Sequence, residues 1–137
     1  MTQQASPTTL NVYIADDSAP VVEMLATLIA DPGRVEVVGV GATEDEAIES
    51  IRRMRPDVVL LDLQLGEGSG TNVIRAVRAA PELAATRVLV TSNHDLPQLR
   101  AGCLALGANG YYDKVKELGA LTAAVAALAA EKRSKAL

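Results

Sequence analysis

The chain has 137 residues, of which 49% are hydrophobic and 22% are charged, and its formal net charge is −4. This length and composition fit one domain with a buried core and exclude a disordered chain, which would carry far fewer aliphatic residues. The acidic balance argues against nucleic acid or an anionic membrane as the main partner.

Residues 1–9 are predicted to be a disordered lead-in, and residues 10–137 a single domain. The lead-in has no positive charge and no apolar run, so it does not match a signal peptide. Every uncharged apolar stretch is shorter than the roughly 20 residues of a membrane-spanning helix. The single cysteine cannot form an internal disulfide. We therefore expect a cytoplasmic protein.

The first strand and helix are marked by a change from an apolar run to helical spacing. Residues 12–15 (VYIA) predict a buried strand that ends at Asp16 and Asp17. Ser18 is a favourable N-cap for the helix that follows, and Pro20 suits its first turn.

The second and third strands frame the second helix. Residues 35–40 predict a strand, and Thr43 and Glu46 have the spacing of a capping box at the start of a helix. Four consecutive aliphatic residues, 58–61, then run into Asp62. Such a run predicts a strand that is covered on both faces, as in a parallel sheet.

A glycine-rich loop over residues 66–70 separates the third strand from the third helix. It lacks the Lys-Ser/Thr ending of a phosphate-binding P-loop, so a nucleotide site is not predicted there. Residues 88–90 predict a fourth strand that ends at Thr91 and Ser92.

The last third of the chain repeats the strand and helix pattern. Asp95 with Pro97 opens a helix that Gly107 ends. Residues 110–112 predict a short fifth strand that ends near Lys114, and a final helix follows. Regular alternation of strands and helices predicts a doubly wound α/β fold, with a parallel sheet between helices.

Six polar residues stand where the predicted strands end. In an open parallel sheet, ligands bind outside these carboxyl ends, so the six side chains should share one edge. The set comprises Asp16, Asp17, Asp62, Thr91, Ser92 and Lys114.

The charges of this set indicate its chemistry. Three neighbouring carboxylates repel one another and therefore favour a cation, and oxygen ligands suit Mg²⁺. An ammonium group from Lys114 can pair with a carboxylate or with a phosphoryl group. The Thr91 hydroxyl can donate to a phosphoryl oxygen. The combination describes a site that receives a phosphoryl group on an aspartate.

The same residues resemble the receiver domain of two-component response regulators. The resemblance rests on the Asp16-Asp17 pair, on Asp62 after VVLL, on Thr91 after VLV and on Lys114 after GYYD, and it covers about residues 10 to 131. It implies a flavodoxin-like (βα)₅ fold with five parallel strands in the order 2-1-3-4-5.

The resemblance also implies roles for the acidic residues. Asp62 would be the phosphoacceptor. Asp17 and Asp62 would ligate Mg²⁺ together with the backbone carbonyl of Gln64, and Asp16 would hold a metal-bound water. A histidine kinase or a histidine phosphotransfer protein would donate the phosphoryl group, so the protein would not itself be an enzyme.

The remaining residues would sense the phosphoryl group. Thr91, Ser92 and Lys114 would contact its oxygens, and Thr91 with Tyr111 would form the switch pair. A surface around the fourth helix, fifth strand and last helix would engage a downstream protein partner, or the phosphoryl group would pass onward in a relay. A homodimer through the last helices also fits the resemblance.

Two positions depart from the family pattern. Gly66 stands where the family usually has Pro, four residues after the acceptor, which predicts a looser loop. Val115 stands where a Pro with a cis peptide often follows the lysine. Because a cis bond before a non-proline residue costs about 3 kcal/mol, we expect a trans peptide there and a shifted loop.

The favoured interpretation is a single-domain response regulator. Three alternatives stay open at this point. The chain could be the excised receiver of a DNA-binding response regulator, although no segment in it could read DNA. It could be a pseudo-receiver that serves as an interaction module without phosphorylation. A flavodoxin-like cofactor binder is disfavoured, since few aromatic residues exist to stack on a flavin.

Overall fold

The computed structural model describes residues 7–136. Five parallel strands form one sheet in the order β2-β1-β3-β6-β7, and β4 and β5 form a separate antiparallel pair. The strands are β1 Leu10–Ala15, β2 Val35–Gly41, β3 Val58–Asp62, β4 Gln64–Leu65, β5 Gly68–Ser69, β6 Arg87–Ser92 and β7 Gly110–Asp113. The predicted order 2-1-3-4-5 is confirmed, because β6 and β7 are the fourth and fifth strands of this sheet.

Residues 7–136 form five α-helices and one short 3₁₀ turn, and α5 follows the last strand. The helices are α1 Ala19–Ile29, α2 Glu44–Met54, α3 Gly70–Ala79, α4 Pro97–Leu106 and α5 Leu118–Ala136, with the 3₁₀ turn at Pro81–Leu83. Within residues 7–136, no helix combines the length and the apolar character needed to cross a membrane.

The sheet has a hydrophobic core on each face. Val58 and Leu60 of β3 pack with α1 and α5, whereas Val59 and Leu61 pack with α2, α3 and α4. All four side chains are fully buried. Neighbouring residues of a strand point to opposite faces, which is why a strand covered on both sides needs four aliphatic residues in a row.

The register of the strands brings their carboxyl ends level. Ala15 pairs with Leu61, so Asp16 follows directly beside Asp62. Asp62 itself pairs with Thr91, and Ser92 pairs with Asp113. The polar residues that end β1, β3, β6 and β7 therefore lie along one edge of the sheet.

The helix starts agree with the sequence except in two details. Ser18 and Thr43 are N-caps that accept backbone hydrogen bonds, as predicted. The capping box is incomplete, because Glu46 accepts from the N–H of Ala42 instead of from that of Thr43. The N-cap of α4 is Leu96 without a side-chain hydrogen bond, so the part of the prediction that gives Asp95 the opening of this helix is wrong, whereas Pro97 is confirmed as its first residue.

The glycine-rich segment is a hairpin where a loop was predicted. Gln64 pairs with Ser69, and Leu65 pairs with Gly68. Gly66 at the turn has a φ of +60°, a conformation that costs other residues about 1–2 kcal/mol.

A disordered lead-in is predicted over residues 1–9. Positions 1–6 of it lie outside the described residues. Thr9 at its end is buried. Its hydroxyl donates to the carbonyl oxygen of Gly33 at 3.0 Å, and its own carbonyl accepts from Lys132 Nζ at 2.7 Å. Position 9 therefore packs as part of the domain.

Candidate functional site

Three carboxylates meet at the carboxyl edge of the sheet. Asp16, Asp17 and Asp62 each present an oxygen within 4.8 Å of the other two. Asp16 is buried, Asp62 is partly buried and Asp17 is exposed, so the group opens to solvent on one side. The structure thus brings together the acidic residues that the sequence analysis placed at one edge.

Lys114 bridges two of these carboxylates. Its Nζ lies 2.6 Å from Asp16 Oδ2 and 3.2 Å from Asp62 Oδ2, and its side chain is 5% exposed. The second oxygen of Asp16 accepts the N–H of Ser18 at 2.9 Å. A charged carboxylate can stay buried when such partners replace its water, and Asp16 has one on each oxygen.

The carboxylate of Asp62 has weaker stabilising contacts than that of Asp16. Partial burial raises the pKa of its carboxyl, and the negative charge of Asp16 acts in the same direction. Lys114 and the N–H of Gln64, which donates to Oδ1 at 3.2 Å, oppose this rise in pKa without cancelling it. A further cation beside Asp62 would therefore stabilise the charged form of its carboxylate.

Asp17 is tied to the β4–β5 hairpin. The backbone N–H of Gly66 donates to Asp17 Oδ2 at 3.1 Å. A proline at this position could neither donate this bond nor adopt a positive φ. Gly66 therefore allows a contact that joins the hairpin to the acidic cluster, while the looser loop expected from its departure from the family pattern stays a prediction.

Thr91 and Ser92 face opposite sides of β6, although both were predicted to contact the phosphoryl group. Thr91 pairs with Asp62 in the sheet, and its buried Oγ1 has no hydrogen-bond partner among residues 7–136. Ser92 Oγ accepts the N–H of His94 at 3.0 Å. Side chains alternate along a strand, so Thr91, which pairs with Asp62, and Ser92 leave β6 on opposite faces.

Tyr111 lies inward, beneath the loop that precedes α4. Its ring is 3% exposed, and its hydroxyl donates to the carbonyl oxygen of His94 at 2.6 Å. The guanidinium of Arg100 lies 4.9 Å from the ring centre and donates to the Tyr111 carbonyl oxygen at 2.8 Å. Arg100 is a contact that the sequence analysis missed, since it depends on the packing of α4 against β7.

The segment that carries Lys114 is a compact turn. No peptide bond among the described residues is cis, which confirms the trans bond predicted before Val115. Asp113 Oδ1 accepts the N–H groups of Val115 and Lys116 at 2.7 and 2.8 Å. Asp113 is not among the predicted site residues, although an Asp just before a turn is a known signal for such bonds.

The donor set of the cluster fits a hard divalent cation. All its side-chain ligands are carboxylate oxygens, and they stand within the mutual distance that one ion requires. Mg²⁺ is held in proteins by few carboxylates and keeps several waters, which agrees with the exposed position of Asp17. Gln64 is the first residue of β4 and lies next to the cluster, where its N–H donates to Asp62 Oδ1.

Comparison with known proteins agrees with this geometry. A family model described as the response regulator receiver domain matches residues 12–126. The transcriptional regulatory protein DegU of Brevibacillus brevis is 29% identical over 130 residues, covering 94% of this chain and 54% of DegU. A protein-glutamate methylesterase/protein-glutamine glutaminase of Geobacter metallireducens is 35% identical over 100 residues, covering 72% of this chain and 28% of that protein.

Solved structures show the same fold. The signal receiver domain of the response regulator NarL from Mycobacterium tuberculosis superimposes with a TM-score of 0.78 at 32% identity, covering 88% of this chain and 96% of that one. The chain spans about half or less of the length of the curated relatives named above. The matched region contains the whole acidic edge of the sheet, and the chain belongs to the family of response regulator receiver domains.

Proposed function

We propose that this protein is a single-domain response regulator that accepts a phosphoryl group on Asp62 from a phosphohistidine. One observation carries the proposal. Lys114 Nζ lies against the Asp62 carboxylate, and on the neighbouring strand the buried hydroxyl of Thr91 has no partner within the described residues. A cation and a free hydroxyl donor beside a carboxylate are what an incoming phosphoryl group requires.

The reaction transfers a phosphoryl group from the phosphohistidine donor to the Asp62 carboxylate. A carboxylate oxygen of Asp62 attacks phosphorus while the N–P bond of the phosphohistidine breaks. The bonding electron pair returns to the imidazole nitrogen, which takes a proton from solvent. Lys114 and the Thr91 hydroxyl would bind the transferred oxygens. The Ser92 hydroxyl accepts the N–H of His94, and its predicted contact with the phosphoryl group stays a prediction.

The acidic cluster would hold Mg²⁺ during this transfer. Asp17 and Asp62 would contribute carboxylates and Gln64 its backbone carbonyl, and Asp16 would hold a metal-bound water. The bound ion supplies positive charge that offsets the charge gathered on the aspartyl phosphate and its neighbours. Without such an ion, Lys114 is the cation that lies against two of the three carboxylates, those of Asp16 and Asp62.

The acyl phosphate would then act as a switch. Thr91 and Tyr111 lie on neighbouring strands, so a change at the Thr91 hydroxyl can alter the loop that Tyr111 holds through His94. We propose that the surface formed by α4, β7 and α5 engages a downstream protein, or that the group passes on in a relay. The proposal assigns the protein to the cytoplasm, with slow self-hydrolysis in place of enzymatic turnover.

A second candidate is the receiver part of a longer regulator. It is favoured by one observation, namely that this chain covers only 54% of DegU and 28% of the methylesterase relative. The intact mass of the protein in its source cell distinguishes the two. A mass equal to that of 137 residues supports the single-domain protein, and a larger mass supports the longer regulator.

The decisive experiment is phosphorylation by acetyl phosphate with Mg²⁺, followed by intact-mass analysis. We expect one added phosphoryl group, lost in Asp62→Asn and retained in Asp31→Asn, whose side chain is exposed in a distant turn. Beryllofluoride should bind the wild-type protein under the same conditions, seen as shifts in its NMR spectrum. A wild-type protein that responds to neither reagent would contradict the proposal and support the pseudo-receiver alternative.

A further inference from the structure

Lys114 is the first residue after β7, and its side chain reaches the acidic cluster. Its backbone N–H donates to the carbonyl oxygen of Ser92 at 2.8 Å, which is the last contact of this kind along the β7 edge. Residues 114–116 then form a turn that leads to α5. The Nζ must nevertheless lie between two carboxylates, at 2.6 and 3.2 Å.

The side chain of Asp113 organises this turn. It is 4% exposed, and its Oδ1 accepts the N–H groups of both Val115 and Lys116. These two bonds are the main reason why the pKa of the Asp113 carboxyl lies below its ordinary value. One oxygen atom therefore fixes the direction of the two peptide units that follow Lys114.

The backbone of Asp113 is fixed as well. Its N–H donates to Glu117 Oε1 at 3.1 Å, and its carbonyl oxygen accepts from the N–H of Glu117 at 3.0 Å. Glu117 Oε1 is also bound by Arg100 at 2.7 Å. The turn is thus closed on both sides and connected to α4.

Val115, the residue after the lysine, supports the turn through its backbone N–H and not through its side chain. The side chain of Val115 is 79% exposed, so it adds no packing that could hold the turn. Its N–H makes the shorter of the two bonds to Asp113. What the turn requires at position 115 is therefore a hydrogen-bond donor on the main chain.

We propose that Asp113 is a positioning residue for phosphoryl transfer, which holds the backbone of Lys114 so that its Nζ reaches Asp62. The inference rests on the proposed function, because it assigns Asp113 a part in the reaction proposed for Asp62. A long, flexible lysine side chain gains precision only from a fixed backbone, and a misplacement of about 1 Å can slow a reaction roughly 100-fold.

Four variants test this role. Asp113→Ala removes the acceptor, whereas Asp113→Asn keeps an oxygen in the same place. Val115→Pro removes one donor, whereas Val115→Ala changes only the exposed side chain. The rate of Asp62 phosphorylation by acetyl phosphate with Mg²⁺ is measured for each, beside its urea unfolding midpoint.

We expect Asp113→Ala and Val115→Pro to slow phosphorylation about 10-fold or more. Asp113→Asn and Val115→Ala should stay within about 3-fold of the wild-type rate. Rescue by Asn separates acceptor geometry from negative charge. If Asp113→Ala does not fold, the pair at position 115 provides the same comparison without altering the carboxylate.

A double-mutant cycle with Lys114→Ala supplies a readout that a purely structural role would not change. If Asp113 acts through the lysine, Asp113→Ala adds little further loss of rate once Lys114 is absent. An equal loss in both backgrounds would overturn the inference, as would a wild-type rate in Asp113→Ala and Val115→Pro. A wild-type protein that accepts no phosphoryl group would instead overturn the proposed function itself, and the inference with it.

Discussion

Lys114 Nζ lies 0.6 Å closer to Asp16 than to Asp62, at 2.6 Å against 3.2 Å from the respective Oδ2 atoms. The ammonium group is therefore bound most closely by the aspartate that is not the proposed acceptor. The Asp16 side chain is fully buried, and Lys114 is the counterion that stabilises its carboxylate there. Lys114 thus has a structural task in addition to its proposed contact with the phosphoryl group.

We expect Lys114→Ala to lower the free energy of unfolding by about 3 kcal/mol, because it leaves Asp16 buried without its counterion. Urea unfolding at pH 7 measures the change. Lys116→Ala is the matched control, since its exposed side chain lies two positions further along the same turn and its backbone N–H is retained. Equal stability of the two variants would contradict the structural task of Lys114.

Thr91→Val should separate stability from function. The buried hydroxyl has no partner within residues 7–136, so an isosteric methyl group should raise the free energy of unfolding by about 1 kcal/mol. Phosphorylation by acetyl phosphate should become slower in the same variant. Val in place of Thr retains the β-branched shape, and a loss of stability would show that the hydroxyl has a partner in solution.

The ends of the strands could be predicted because two simple patterns coincide there. A run such as residues 58–61 marks a buried strand, and the first polar residue after it must lie at the edge of the sheet. This argument placed Asp16, Asp62, Thr91 and Lys114 correctly relative to one another. The sequence also contains the alternation that separates Thr91 from Ser92, so their different directions could have been predicted too.

Contacts between elements could not be predicted in the same way. The hairpin at Gly66 consists of strands of two residues each, too short for any periodic pattern. The position of Arg100 over the Tyr111 ring depends on how α4 rests on β7. Asp95 is a residue type that favours the start of a helix, but the N-cap of α4 is Leu96, which makes no side-chain hydrogen bond.

Asp62→Asn should stabilise the metal-free protein at neutral pH. Burial raises the pKa of Asp62 in the folded state, so the native protein binds this proton more tightly than the unfolded chain does. The contribution of Asp62 to stability therefore falls as the pH rises from the ordinary value of 3.8 through the raised pKa. The destabilising effect of the charged carboxylate is therefore largest on the alkaline side of the raised pKa.

Melting curves between pH 3 and pH 8 test this sign. We expect Asp62→Asn to melt about 4 °C above the wild type at pH 7, which corresponds to about 1 kcal/mol. The difference should disappear as the pH falls below the ordinary pKa. Asp31→Asn serves as the exposed control. A variant that melts lower than the wild type at pH 7 would show that the ion pair with Lys114 outweighs burial.

Gly66 can be tested against a second glycine in an ordinary conformation. Gly66→Ala should cost about 1 kcal/mol because of its positive φ, and Gly66→Pro about 3 kcal/mol because it also lacks the N–H that Asp17 accepts. Gly102→Ala in α4, with no atom near its added methyl group, should instead gain roughly 0.5–1 kcal/mol. Thermal unfolding of the three variants distinguishes backbone strain from a general effect of replacing glycine.

The Asp113 turn has a consequence for building chimeras between this chain and its relatives. The carboxylate at position 113 and the main-chain donors at positions 115 and 116 form one hydrogen-bonded unit. Replacing Val115 alone with the proline typical of the family would leave a buried acceptor short of a donor. Segment grafts at this corner should therefore move residues 113–117 as a block, whereas the exposed side chain at position 115 is free to carry a spectroscopic label.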